Sequence, residues 1–304
     1  MKYKIKNKKS FKKKIIIIID GNNYLYRYYY IFKNLKNHEN KPTGVIYGIL
    51  KLIKNLIKIY SPKNIIFVFD HPSKNFRKKI YKPYKSNRLK MPIDLKNQIK
   101  PLLNIIKCLG FPILRIPKIE ADDIIGTIIK KESKLKYKIL ICTSDKDICQ
   151  LIKKNVKILN FKNKILGIKE IKKKFGIAPK TISCYLSLVG DKSDNIPGAP
   201  GIGKKSAVKI LKKYNSLKKI YKNLNNLKKI KFRNSIKFNK IFIKNKKKIF
   251  LYFKLTTIKK NIFIKKYKKK IKLKKIKLKK LFCLFQKYNL KSLKKFFLKK
   301  NFLK

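Results

Sequence analysis

The sequence predicts an α/β fold built on a mostly parallel sheet, and three observations lead to it. Apolar runs rich in β-branched residues at 15–19 and 65–69, and a third at 138–142, read as strands buried on both faces. Segments with helical apolar spacing separate them, as in Val45, Ile46, Ile49, Leu50, Ile53, Leu56 and Ile57. Strands alternating with helices argue for parallel pairing. Each run also ends at or shortly before an aspartate: Asp20, Asp70 and Asp145.

In chain order, residues 1–13 form a basic leader and 15–19 the first strand. Lys12-Lys13-Lys14 followed by five Ile superficially resembles a secretion signal. Its apolar core is too short and no small-residue cleavage site follows, so a strand is the better reading. A helix is expected over 44–60, then the strand 65–69. Residues 74–92 are basic and aromatic, and a helix from about 94 to 109 follows. After an extended piece at 112–117, the stretch Ile119-Glu120-Ala121-Asp122-Asp123-Ile124-Ile125-Gly126 opens another helix. The strand 138–142 leads into Asp145-Lys146-Asp147 and a further helix start, and 156–161 is one more strand candidate. The composition shifts after about 175 to helices and Gly/Pro turns, which places a boundary there between 14–175 and 176–260. Residues 261–304 read as a Lys-rich tail, where Leu281, Phe282, Leu284, Phe285 and Tyr288 keep helical spacing.

The formal charge is +72, from 85 Lys and Arg against 13 Asp and Glu. Such a balance permits polyanion binding. It does not establish it, because only five of the basic residues are Arg and a Lys/Ile/Asn bias is what an AT-rich genome writes. Five scattered cysteines without a CxxC pair, and two separate histidines, argue against zinc and fit reduced thiols. With no apolar run of spanning length, a cytoplasmic protein without membrane contact is expected.

The acids carry the chemistry. Nine of the 13 are Asp20, Asp70, Glu120, Asp122, Asp123, Asp145, Asp147, Asp191 and Asp194. Strand ends in an open parallel sheet share one crevice, and the helix opened by Glu120 can reach it. Each acid alone could cap a helix or pair with a Lys. That reading explains poorly why so acid-poor a chain places its acid at strand ends and Gly turns. Hard oxygen ligands without histidine suit Mg²⁺ or Mn²⁺. Nine carboxylates exceed the needs of one ion, whereas two ions about 4 Å apart would use them. Nearby, Lys85 and Arg88 could offset phosphate charge, and Tyr81 or Tyr84 could stack on a base. Arg27 and Arg77 stand out because Arg is scarce. Gly198 to Lys204 matches G-x-x-x-x-G-K, but Lys205 follows where Ser or Thr belongs and no strand precedes. A hairpin between helices, with the amides of Gly201 and Gly203 at a phosphate, fits better; an ordinary helix connection is the alternative.

Ile19-Asp20-Gly21-Asn22, Val68-Phe69-Asp70, Tyr84-Lys85-Ser86-Asn87-Arg88, Glu120-Ala121-Asp122-Asp123, Thr143-Ser144-Asp145-Lys146-Asp147 and Gly190-Asp191-Lys192-Ser193-Asp194-Asn195-Ile196-Pro197-Gly198 stand in the order of the 5′ nucleases. That family includes the 5′–3′ exonuclease domain of bacterial DNA polymerase I and the flap endonucleases. The resemblance is dense from about 15 to 215 and thinner beyond. It implies a PIN-like domain with a helical arch near 74–110, followed by a helix–two-turns–helix DNA-binding subdomain that also holds K⁺ in the family. It implies two Mg²⁺ ions. Asp20, Asp70, Glu120, Asp122 and Asp123 would lie toward one, and Asp147, Asp191 and Asp194 toward the other, with Asp145 between. Lys85 and Arg88 would assist from the arch. Arg27, Arg77, Tyr81, Tyr84, Gly201, Gly203 and Lys204 would hold substrate. Ser144 stands where Gly is usual and Asn87 where His is common, and neither removes a ligand.

The expected activity is hydrolysis of phosphodiester bonds at single-strand/duplex junctions, as a 5′–3′ exonuclease and flap endonuclease in Okazaki-fragment processing and repair. The expected partners are DNA with a 5′ flap or nick and RNA/DNA primer ends, with a separate polymerase and ligase. The chain is expected to act as a nucleoid-associated monomer without a polymerase region. A binding protein that has lost catalysis and a PIN-type ribonuclease are the alternatives. The filled ligand set argues against the first, and the glycine turn and second acid cluster against the other.

Overall fold

The computed structural model describes residues 15–133, 137–229 and 235–298; the basic leader expected at 1–13 lies outside them. Ile15–Asp20 (β1), Asn64–Val68 (β2), Ile113–Leu114 (β3), Lys138–Cys142 (β4), Val156–Leu159 (β5) and Ile165–Leu166 (β6) form one sheet in the order β3-β2-β1-β4-β5-β6. All neighbours pair parallel except β5 and β6. The chain runs outward from β1 through β2 to β3, then crosses back to β4 on the other side of β1. The crevice beyond the carboxyl ends of β1 and β4 is therefore the point where ligands bind such sheets.

Successive side chains of a strand point to opposite faces, so the Ile runs feed two cores. Ile15, Ile17, Ile19, Ile65 and Phe67 pack with Gly21–Ile31 (α1), Gly44–Tyr60 (α2) and Ile93–Cys108 (α4). Ile16, Ile18, Ile66 and Val68 face Ala121–Glu132 (α5) and the later helices. Phe76–Ile80 forms the short α3. Ile168–Phe175 (α6) ends at Gly176, and Ile182–Val189 (α7), Lys204–Tyr214 (α8), Leu217–Lys222 (α9), Ser235–Lys244 (α10) and Lys246–Thr256 (α11) build the helical part, with α7 packed on α8 and α11.

Three features depart from expectation. The segment 74–110 is helical only at its ends: residues 81–92 are turns and irregular chain. Pro83 lacks an amide donor and biases Lys82 away from helix, and Lys85 sits at φ +55°. The helix start expected after Asp145-Lys146-Asp147 is a 3₁₀ helix over Asp147–Leu151. The segment expected as a Lys-rich tail packs onto the sheet-bearing half. A strap from Thr257 runs over α5, where a Cβ on Gly126 would lie 2.7 Å from Ile258. It passes under the sheet through Tyr267–Lys270 (α12) to Leu278–Lys287 (α13) and Lys291–Phe297 (α14). Leu281, Phe285, Leu293 and Phe297 are buried against α2 and α4. Asn37 donates to the carbonyl of Lys287 across 250 residues of chain. Among the described residues no helix is long and apolar enough to cross a membrane.

Candidate metal centre

Asp20 ends β1 and caps α1, accepting from the Asn23 amide at 3.2 Å. Its other oxygen accepts from Thr143 Oγ1 at 2.8 Å. Asp70 follows β2 and accepts from the Ala121 amide at 2.7 Å, which ties it to the start of α5. Glu120 precedes that helix and Asp122 lies in its first turn. Glu120 accepts from Arg77 Nη1 and Lys85 Nζ, each at 2.9 Å, and from Asn75. Asp145 lies past β4, its amide donating to Thr143 Oγ1 and its carboxylate accepting from the Asp147 amide.

A second group forms across the domain boundary. Carboxylate oxygens of Asp147, Asp191 and Asp194 lie within 4.8 Å of one another. Asp191 and Asp194 ride on a turn closed by paired bonds between the Asp191 and Ile196 backbones, at 2.7 and 2.8 Å. Gly190 and Gly198 flank it at φ +87° and +81°, and a Cβ on Gly198 would lie 2.4 Å from the Gly190 amide nitrogen. Only glycine fits there. Asp147 Oδ1 and Asp191 Oδ2 are buried without a hydrogen-bond partner. Buried polar atoms are normally satisfied, so these two oxygens fit a cation better than a purely structural role.

The charges repel as a ligand set should. Burial, reinforced by Asp145 and Asp70, pushes Asp20 from 3.8 up to about 7. Burial with Asp145 and Asp20 pushes Asp122 well up, and burial with Asp145, Asp191 and Asp194 does the same for Asp147. Burial chiefly raises Asp70 and Asp145 as well. Burial also acts on Asp191, but the Lys146 ammonium and Ser193 outweigh it and hold that carboxyl below its usual range. The Asp145 charge acts on Asp20 and Asp122 on one side and on Asp147 on the other.

A stability prediction follows. A carboxyl raised in the folded state keeps its proton between its unfolded and folded pKa while the unfolded chain loses its own. Stability then falls as pH rises through that window, here from about 4 to 7, and Asp191 acts only below it. Thermal denaturation in EDTA should show a lower Tm at pH 7.5 than at pH 5. Mg²⁺ should raise Tm at pH 7.5 and barely at pH 5. An EDTA Tm that is flat or rises over this range would count against a converged site.

The segment between α3 and α4 lies over the carboxylates. The Lys85 amide donates to the Asp194 carbonyl at 3.0 Å and Asn87 to the Lys192 carbonyl at 2.8 Å. Arg88 pairs with Asp194 at 2.8 Å. Burial pushes the Lys85 ammonium down, but Glu120 and Asp194 outweigh it and hold its pKa above the usual lysine value.

Three expected roles need correction. Arg77 is 2% exposed and is not placed to hold substrate. All five N–H donors of its guanidinium are used within the protein: on Glu120, on both Asp123 oxygens, and on the carbonyls of Leu255 and Thr257. Asp123 is fully buried and also accepts from the Lys259 amide, so it serves this ion pair and not a metal. Tyr84 is buried, its hydroxyl donating to Asp194 at 2.9 Å and lying 3.2 Å from Glu120, so its ring is closed to a base. Tyr81 is half-buried and packs edge-on against Tyr252. Arg27 stacks on the Phe161 ring at 4.2 Å and donates to its carbonyl. Gly201, Gly203 and Lys204 lie apart from the carboxylates, at the exposed start of α8.

Sequence reasoning passed over Thr143, which bridges Asp20 and the Asp145 amide, and Lys146, which pairs with Asp191. Thr143 stood in a quoted motif, and its position between a strand and an acid was the available signal. Lys146 stood in the same motif, but nothing set it apart in a chain where most cations are Lys.

The family models for the 5′–3′ exonuclease N-terminal resolvase-like domain and the 5′–3′ exonuclease C-terminal SAM fold match residues 15–176 and 177–279. A 5′–3′ exonuclease of Buchnera aphidicola subsp. Baizongia pistaciae is 46% identical over 258 residues, 84% of this chain and 85% of that one. The 5′–3′ exonuclease of Buchnera aphidicola subsp. Schizaphis graminum is 47% identical over 83% of this chain and 88% of its own length. Among solved structures, the bacteriophage T5 flap endonuclease in complex with DNA and metal ions superimposes with a TM-score of 0.64 at 21% identity, over 80% of this chain and 89% of that one.

Proposed function

The chain belongs to the 5′–3′ exonuclease family, and we propose that it is a Mg²⁺-dependent 5′ nuclease that cuts DNA, and RNA primer ends, where single strand meets duplex. One observation carries this reading: carboxylate oxygens of Asp147, Asp191 and Asp194, from both halves of the chain, lie within 4.8 Å of one another, and the Asp145 charge acts on Asp147 as well as on Asp20 and Asp122. Asp20, Asp70, Glu120 and Asp122 would hold one ion, and Asp147, Asp191 and Asp194 the other. When bound, such a pair supplies activation of water and charge stabilisation of the leaving oxygen, with Mn²⁺ as a substitute.

The chain's own residues do the rest. Thr143 and the Asn23 amide orient Asp20, and the Ala121 amide orients Asp70. Lys85 and Arg88 sit on acids that the ions would neutralise, so both cations become available to the scissile phosphate. Arg27 would lie along the strand's path. At the start of α8, a Cβ on Gly203 would meet nothing within 4 Å, so packing does not require this glycine. It leaves room for a duplex phosphate against the amides of Gly201 and Gly203 and the ammonium of Lys204. A K⁺ ion at this turn belongs to the same reading. So do primer and flap removal beside a separate polymerase and ligase, action as a monomer, and a cytoplasmic, nucleoid-associated location.

The test is cleavage of a 5′-flap DNA with Mg²⁺ titrated in. Cleavage at the junction in Mg²⁺ or Mn²⁺ and none in EDTA is expected. Full activity in EDTA, tight binding without turnover in either metal, or preference for single-stranded RNA would each overturn the reading.

A further inference from the structure

Beneath the sheet, at the end away from the carboxylates, the strap lines an open cavity of about 1280 Å³. Its lining includes Ile16 and Asn64, near the starts of β1 and β2, and Tyr137, just before β4. Asp20 and Asp70 lie at the other ends of those strands, roughly 15 Å away at about 3.3 Å per residue. The cavity is thus separate from the metal centre.

Its lining is strongly basic. Eight of its eighteen described lining residues are Lys, and among them the only acid is Glu132. Glu132 is buried and accepts from the Tyr267 hydroxyl at 2.9 Å. The lysines rest on neutral partners instead. Lys63 lies 4.5 Å from the Tyr137 ring centre and Lys131 4.4 Å from that of Tyr267, while Lys130 bonds to the Asn261 side chain. Loss of solvent around the Lys260 ammonium, with Lys153 and Lys130 close by, pushes its pKa below the usual lysine value. At the rim Phe263 is 85% exposed. Cations held together without acids attract a polyanion, and an exposed ring among them offers a stacking surface for bases. The volume exceeds that of a site for one small ligand.

We propose that this cavity is a second nucleic-acid site that holds a short run of single-stranded nucleotides, phosphates on Lys130, Lys260 and Lys268 and a base on Phe263. The basic leader at 1–13 has the wrong charge to fill it. The site does not depend on cleavage.

Fluorescence anisotropy with a single-stranded dT10 in EDTA tests it on the full chain. The triple variant Lys130→Glu, Lys260→Glu, Lys268→Glu should bind at least about tenfold more weakly, and its slope of log affinity against log salt should shrink by about 2. Phe263→Ala should weaken binding about tenfold with the slope unchanged. The control triple Lys279→Glu, Lys280→Glu, Lys287→Glu on α13 should change binding much less, and flap cleavage in Mg²⁺ should persist in all three variants. Equal losses in both triples would reduce the effect to global charge and overturn the proposal. So would unchanged binding in the first triple, or preference of the native chain for poly-glutamate over dT10. If the native protein fails to cut flaps yet binding follows this pattern, the nuclease reading falls and the second site stands.

Discussion

Asp145→Asn is expected to lower flap cleavage by about 10³-fold or more, which corresponds to several kcal/mol of lost charge stabilisation. Asparagine keeps the shape, and its amide oxygen can still accept from the Asp147 amide now bound at 2.8 Å. What disappears is the charge that acts on both carboxylate groups. Three readouts should therefore separate. Turnover falls, and Mg²⁺ affinity falls with it. Flap binding in EDTA is kept or tightens, because one negative charge fewer faces the phosphates. Tm in EDTA at pH 7.5 rises, because repulsion on Asp20, Asp122 and Asp147 is relieved. An acid serving only the fold would lower Tm on the same substitution. Near-native turnover with reduced Tm would remove Asp145 from the centre.

Arg77→Ala is expected to cost about 3–5 kcal/mol, the range for breaking a buried ion pair from one side. Glu120 and Asp123 lose their shared cation, and the carbonyls of Leu255 and Thr257 lose their donor. For a chain of this size the fall in Tm should reach roughly 10 °C. Arg77→Lys should recover only part of it, because an ammonium cannot reproduce the planar two-fold contact with Asp123. Urea denaturation of the three proteins measures this. A native Tm with weakened flap binding would return Arg77 to the substrate-holding role that its scarcity first suggested.

How much of this was legible depended on whether the cause was local. Asp20, Asp70 and Asp145 could be placed because each stands beside an apolar run that forms a strand whatever surrounds it, and strands of one parallel sheet end together. Their approach to Asp191 and Asp194 rested on the order of motifs, since no local rule says where that turn docks. Arg77 and Asp123 were misread for the same reason: their partners come from α11 and the strap, about 180 and 136 residues away. Tyr84 carries the residue type of a stacking surface, and only its burial shows that the hydroxyl is the working end. The terminal helices were half legible. Their periodicity was visible, but the periodicity does not say which core the apolar face joins.

That core has a consequence for how the protein is made. The apolar faces of α2 and α4 precede by a long stretch of chain the helices α13 and α14 that cover them. Contacts of such long range form late, and a partly exposed core is prone to aggregation until they do. The strap supplies two of Arg77's neighbours on the way, the Thr257 carbonyl and the Lys259 amide beside Asp123. A nascent chain can therefore carry every carboxylate and still lack the packing that holds them in register.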